Sequence, residues 1–412
     1  MISFFPCAHA SHPFWPLALD QVVVQLEVQI AMQQRTAPAQ LGVVYVSARY
    51  AAYAGDMLTQ LAQAFPGVPH WVGSTAPSVL AGDMDYGQVG ALAVMLLYLG
   101  AQDCQLFSSL RPLPPAADHA PGLALVHGHV AAHQRAAVLQ ALHAHRPQVM
   151  WMGGWGDAGT AHAHWAWSRA AQGPEHEQDA ALLPQGCAGV VLGPQVDYLH
   201  ARVQGCRPAG PTHTVTRAHH HVLYELDGQP ALPVLQRALH AGAQAEDLST
   251  ALLAQWPAGD DGSDTCLPVQ ARVMQVTGTD PVGGSVQLSD SLVPGAMLRG
   301  CAWDAHTMLT DVRRSCAEVW EALTTWELAG PETAKSGATG ARSISGAIYI
   351  RSQYRHAMAR MPQADAELQL IRQVLGPIPL LGWTTSCEID AGQLQHLSAQ
   401  LIVFTQPLQA LR

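Results

Sequence analysis

LGVVYVS at 41–47 and PHWVGSTA at 69–76 decide how this chain folds. Each is a short run of apolar and β-branched residues, the composition of a strand buried on both faces. Between them, 56–65 repeats apolar residues at helical spacing and closes on Pro66-Gly67, a helix stop. Strand, helix and strand over this length make a βαβ unit, whose strands run parallel with a right-handed crossover. The same order returns near the C-terminus, with GAIYIRS (346–352), a helix over 365–375 and PLLGWTTS (379–386). The copies share punctuation, PGVPHWVGST at 66–75 beside GPIPLLGWTT at 376–385, and Gly73 aligns with Gly382 once one residue is skipped. The spacing therefore predicts an α/β fold of two pseudo-symmetric halves, with mixed β-sheets flanked by helices in a layered sandwich and a cleft near the junction of the halves.

Outward from these units, 17–34 reads as an amphipathic helix ended before Pro38. CAGVVLGPQVDYLHARVQG (187–205) reads as an antiparallel hairpin around Gly193-Pro194. The passage between halves falls inside a helix around 232–241, and 111–122, 257–264 and 329–346 read as surface loops. This gives an N-terminal segment and helix over 1–35, a first domain over 36–234 and a second over 235–405.

Composition sets the class. A length of 412 residues exceeds one simple core at ~150 residues per domain. Charged residues make up 13%, about half the usual ~25%, and hydrophobic residues 49%, the mark of a well-buried globule. Net charge is −10 and the 21 basic residues are scattered, so nucleic acid is not an expected partner. No stretch approaches ~18 uninterrupted apolar residues, and MISFFPCAHASHPFW lacks the basic start of a secretory signal. The eight cysteines include no CxxC. A cytoplasmic protein with reduced thiols and no membrane partner is expected.

Most motifs tested for chemistry fail. GGWGDAG (153–159) stands where a phosphate loop would, but no GxxxxGK[ST] or GxGxxG is present, and tight packing explains its glycines. His162 and His164, with Asp157 nearby, are followed by no third ligand of fixed spacing, and consecutive His219, His220 and His221 cannot converge on one ion from a strand, so a polar turn is expected there. No metal and no cofactor is expected. One constellation remains. Glu388 and His396 flank a turn at 391–393, and Arg355 follows the first strand of the same βαβ unit. Together they would offer an anion, a titratable group and a cation to a zwitterionic ligand such as an amino acid.

At these residues the chain resembles the FIST family of sensory modules. The resemblance to FIST N rests on VYVSARY, the VGST turn, Gly153-Gly154 and above all QGCRPAGPTHTVTRAHHHVLYELDGQPAL (204–232). That to FIST C rests on VPGAMLRGCAWDAHTMLTDV (293–312), IYIRSQYR, PLLGWTTSCEI and His396. Ser352 stands where the family pattern carries a cysteine, and Cys387 where it carries a glycine. The resemblance implies a module that binds a small polar metabolite, amino acids among the candidates, through Arg355, Glu388 and His396, with Gly153, Gly154, Cys206 and Arg207 lining the N-terminal half. The two parts occupy nearly the whole sequence, so its signal would pass through a partner protein. Two other readings stand beside it: a hydrolase or transferase using Cys206 or the Glu388/His396 pair, and a non-catalytic scaffold.

Overall fold

The computed structural model describes residues 4–35, 37–114, 121–156, 163–168, 182–241, 251–256, 271–328, 342–361 and 363–407. The chain opens with β1 (Cys7–Ser11) and α1 (Trp15–Met32), followed by β2 (Leu41–Ser47), α2 (Ala54–Ala64) and β3 (His70–Ala76). β2 and β3 pair in parallel, Val44 opposite Gly73. The chain then leaves this sheet for β4 (Val79–Ala81) and β5 (Met84–Asp85), and β6 (Ala91–Leu97) returns antiparallel to β2, with β1 on its outer edge.

The pattern repeats at once. After β7 (Cys104–Ser108) come β8 (Gly122–His129), α3 (Ala132–His145) and β9 (Val149–Trp155), the two strands parallel with Val126 opposite Gly153. β10 (His164–Ser168) leaves, and β11 (Gly186–Leu192) returns against β8 with β7 at its edge. β12 (Tyr198–Val203) follows. The expected hairpin over 187–205 does not form: β11 stays with β8, whereas β12 pairs with a strand two hundred residues later.

An antiparallel sheet is inserted next, built from β13 (Arg207–His219), β14 (Val222–Leu226), β15 (Gln229–Pro230), β16 (Leu252–Gln255), β17 (Arg272–Asp280), β18 (Ser285–Leu288) and β19 (Met297–Ala302). It curls so that the long β13 pairs with β19 at one end and β14 at the other, and α4 (Ala231–Ala241) packs on its own apolar core. The turn of exposed His219, His220 and His221 joins β13 to β14, with His220 at φ 52°.

The third unit comprises α5 (Ala305–Leu328), β20 (Arg342–Ser352), α6 (Arg355–Met358), α7 (Ala366–Leu375) and β21 (Leu380–Thr385). β20 and β21 are parallel, Tyr349 opposite Gly382. The hairpin β22 (Cys387–Asp390) and β23 (Gln393–Gln395) leaves, and β24 (Ala399–Pro407) returns against β20 with β12 at its edge.

Three equivalent sheets thus exist where the sequence reading counted two. The strands that leave close a cycle: β4 pairs with β21, β10 with β3, and β22 with β9. The sheets surround one apolar core, to which all three contribute, and helices cover their outer faces. Because strands cross in this way, the sheets of the first and second parts of the chain interlock. Gly73, Gly153 and Gly382 hold one equivalent position. A Cβ there would lie 1.8, 2.0 and 2.1 Å from the carbonyl oxygens of Val44, Val126 and Tyr349, a contact no side chain tolerates. The second copy escaped the sequence reading because α3 buries only Arg135 and Leu139, which leaves little apolar periodicity, and because Gly153-Gly154 lies inside β9 rather than in a loop after it.

Candidate functional site

Arg355 lies just beyond β20, where the chain turns into α6, and it is fully buried. Its Nε donates to Glu367 Oε1 (2.8 Å), and its Nη1 to the carbonyl oxygens of Val203 (3.0 Å), Gln204 (2.9 Å) and Leu397 (3.0 Å). Its Nη2 has no hydrogen-bond partner among the described residues and lies beside Gly205, where a Cβ would come within 2.6 Å. Glu367, in the first turn of α7, also bonds His356 Nε2 (2.9 Å) and accepts from Arg351 Nη1 (3.4 Å), and Arg351 reaches on to Asp85 of β5. Burial pushes the Glu367 carboxyl up, but Arg355, His356 and Arg351 outweigh it and hold the group far below the usual carboxylate range. This network ties β5, from the first part of the chain, to the third unit.

Glu388 is equally buried but differently served. It sits on β22, opposite Gly154 of β9 on one side and Gln395 of β23 on the other. Oε2 accepts from the Ser398 backbone N–H (3.0 Å) and hydroxyl (2.9 Å), while Oε1 has no partner among the described residues. Burial pushes its pKa up to about 8, against the pull of Ser398 and of Arg355. Since Oε2 is occupied as an acceptor, the proton belongs on Oε1, which makes Glu388 a hydrogen-bond donor at neutral pH.

The sequence reading missed the polar groups around Glu388. Asp390, two residues along the same strand and hence on the same face, pairs with Arg202 and with His200 (3.0 Å). Burial raises the Asp390 carboxyl, but His200 and Arg202 more than reverse this and leave it below its ordinary value. Gln400, opposite Arg202 on β24, and Gln395 are buried, and both Gln400 side-chain polar atoms and Gln395 Nε2 lack partners among the described residues. The alternating Glu388-x-Asp390 spacing was the available signal.

Of the predicted site residues, Gly154 and Glu388 face each other in a strand pair, Gly153 follows opposite Ile389, and Arg355 lies close enough to pull on the Glu388 charge without bonding to it. Cys206 lies against Cys301 and within reach of the Arg355 charge; the thiol contact and burial raise its pKa well above the ordinary value. Two residues do not join them. Burial lowers the His396 pKa, against the pull of Asp290. His396 lies just past β23, after Gln395, and among the described residues no hydrogen bond or ion pair joins it to Glu388. Arg207 begins β13 and is exposed. The Glu388/His396 pair therefore does not assemble as an acid–base couple, and Cys206 is held as a thiol rather than a reactive thiolate. His164 is buried on β10, while His162 and Asp157 lie outside the described residues.

A second polar feature lies where the C-terminal ends of β3, β9 and β21 meet. A narrow crevice is lined there by Ser74, Thr75, Gly154, His164, Trp383 and Thr385. Behind it, Tyr45 donates to or accepts from His127 Nε2 (2.9 Å) and stacks on Trp383 at 4.3 Å. Burial, aided by His164, lowers the His127 pKa to about 3, so this imidazole is neutral core.

No helix among the described residues is long and apolar enough to cross a membrane. No curated protein matches the chain. The FIST N domain model matches residues 40–229 and the FIST C domain model residues 231–390. With both domains present in order over most of its length, the chain belongs to the FIST family of sensory, signal-transduction modules.

Proposed function

We propose that this protein is a cytoplasmic sensor that binds a small polar metabolite in the buried polar layer around Glu388 and Arg355 and passes the signal to a partner protein. One observation carries the reading: two fully buried ionisable side chains each keep one polar atom, Glu388 Oε1 and Arg355 Nη2, without a partner among the described residues. Buried polar groups are nearly always satisfied, and leaving one unsatisfied costs about 1–3 kcal/mol. A guest that satisfied them would recover that cost. The layer offers mainly donors: the Glu388 hydroxyl, the Arg355 guanidinium and the Gln395 amide. A carboxylate-bearing metabolite, such as an amino acid, fits such a set. Entry requires the interlocked sheets to part, which couples occupancy to the shape of the whole module.

A thermal-shift screen of amino acids and simple carboxylates tests this, because a ligand raises the melting temperature by an amount set by its concentration over Kd. Arg355→Ala is unsuitable as a neutral control, since Arg355 also holds three carbonyls and Glu367. Gln395→Leu and Glu388→Leu are the informative variants: each removes the polar group at similar volume and should reduce the ligand-induced shift. A wild-type protein that no compound stabilises, or a shift unaffected by both substitutions, would remove the basis for this site.

A further inference from the structure

A surface helix normally turns a polar face to water; on α1 that face also carries an apolar stripe. Ala18, Leu19, Val22 and Leu26 face the first sheet. On the opposite side stand Leu17, Val24, Val28 and Met32, with Phe14 at the helix entry, exposed between 46% (Leu17) and 76% (Met32). At 100° per residue these five fall in one stripe. Leu17, Val24 and Val28 keep the alternating three- and four-residue heptad spacing, with Gln21 as the polar residue among them. Five large apolar side chains aligned along one face mark an interaction surface rather than scattered exposure.

Charge selects the occupant. The stripe has one charged edge, formed by exposed Asp20 and Glu27, and α1 contains no Lys or Arg. An antiparallel second copy would set this acidic edge against itself, and a parallel copy would gain no ion pair. The net charge of −10 also disfavours self-association and attraction to an anionic membrane surface. We propose that the outer face of α1 is the output surface and docks an amphipathic helix of the signalling partner, with an apolar heptad stripe and a basic flank that meets Asp20 and Glu27. This assignment rests on the signalling reading for its purpose, but not on the ligand site.

Two synthetic peptides of about three heptads, identical in their Leu/Ile stripe but flanked by Lys/Arg in one and Glu in the other, test it against the full chain by fluorescence anisotropy, without metabolite. The basic peptide should bind at least about tenfold more tightly and weaken with salt. Val24→Asp combined with Val28→Asp should abolish binding while leaving the melting curve in place, because neither side chain is in the core. Asp20→Asn with Glu27→Gln should erase the preference between peptides, and it decides the matter should the first variant fail to fold. Equal binding of both peptides, or binding of neither, overturns the proposal. So does light scattering that reveals a dimer lost in the Val24/Val28 variant, or co-sedimentation with phosphatidylcholine vesicles. A failed metabolite screen with intact peptide binding would sink the ligand site alone.

Discussion

Glu367 and Glu388 are both fully buried, some twenty residues apart in sequence, and they hold opposite charge states. Glu367 touches Arg355, Arg351 and His356 and remains an anion. Among the described residues Glu388 receives only the two Ser398 donors, and its proton stays on up to about pH 8. Burial is the same for both, so partners decide. A compensated carboxylate keeps its charge and serves as a structural tie, whereas a carboxyl without a cation beside it stays neutral.

The sharpest way to break this contrast is Glu367→Gln, which leaves Arg355 buried without its carboxylate. Loss of one partner of a buried ion pair costs about 3–5 kcal/mol, read as a drop in the urea midpoint; a change under about 1 kcal/mol would show that the network holds nothing. Glu388→Gln should act through pH instead. The unfolded chain loses this proton near ~4.3 and the folded chain near 8, so folding takes up a proton between those values. Stability from this group is therefore greatest at and below the lower value, declines as pH rises across the window, and levels off above it. The decline is about 3 kcal/mol between pH 5 and 8, and Glu388→Gln should flatten it. Glu367, Asp85 and Asp390 have depressed values in the folded state; their stability is present above ~4 and lost as pH falls. Destabilisation at low pH should thus persist in Glu388→Gln.

Gly205→Ala probes the boundary between the two regions. Its φ of +74° disfavours a side chain, and the added Cβ would press on Arg355 Nη2 at 2.6 Å, so a loss of about 1–2 kcal/mol is expected, without a change in the Glu388 pH window. The smallest effect belongs to Ser398→Ala, which removes one of the donors to Glu388 and costs about 1 kcal/mol. It should also move the upper end of the pH window higher, visible in a carboxyl carbon NMR titration; an unmoved titration would mean that the hydroxyl does not hold the charged form.

Two of the three repeats were legible as local patterns, because β2, α2 and β3, like β20, α7 and β21, carry strong apolar periodicity within a short stretch. Gly73 and Gly382, aligned in the sequence only by skipping a residue, prove to occupy one structural position. The candidate site was legible only in part: strand ends and hairpins pointed to Arg355 and Glu388, both buried in the structure, but His396 and Arg207 were not separable from them by spacing.

By itself the sequence determined the α/β class, the βαβ units at either end and the membership in the FIST family, because these depend on runs of neighbouring residues. Only the tertiary structure decided that three sheets exchange strands in a cycle, and which buried carboxylate keeps its charge. Both depend on partners distant along the chain: Asp85 meets Arg351, and Glu388 lies opposite Gly154. Strand pairing and ionisation are set by what surrounds a group in space, which local periodicity does not encode.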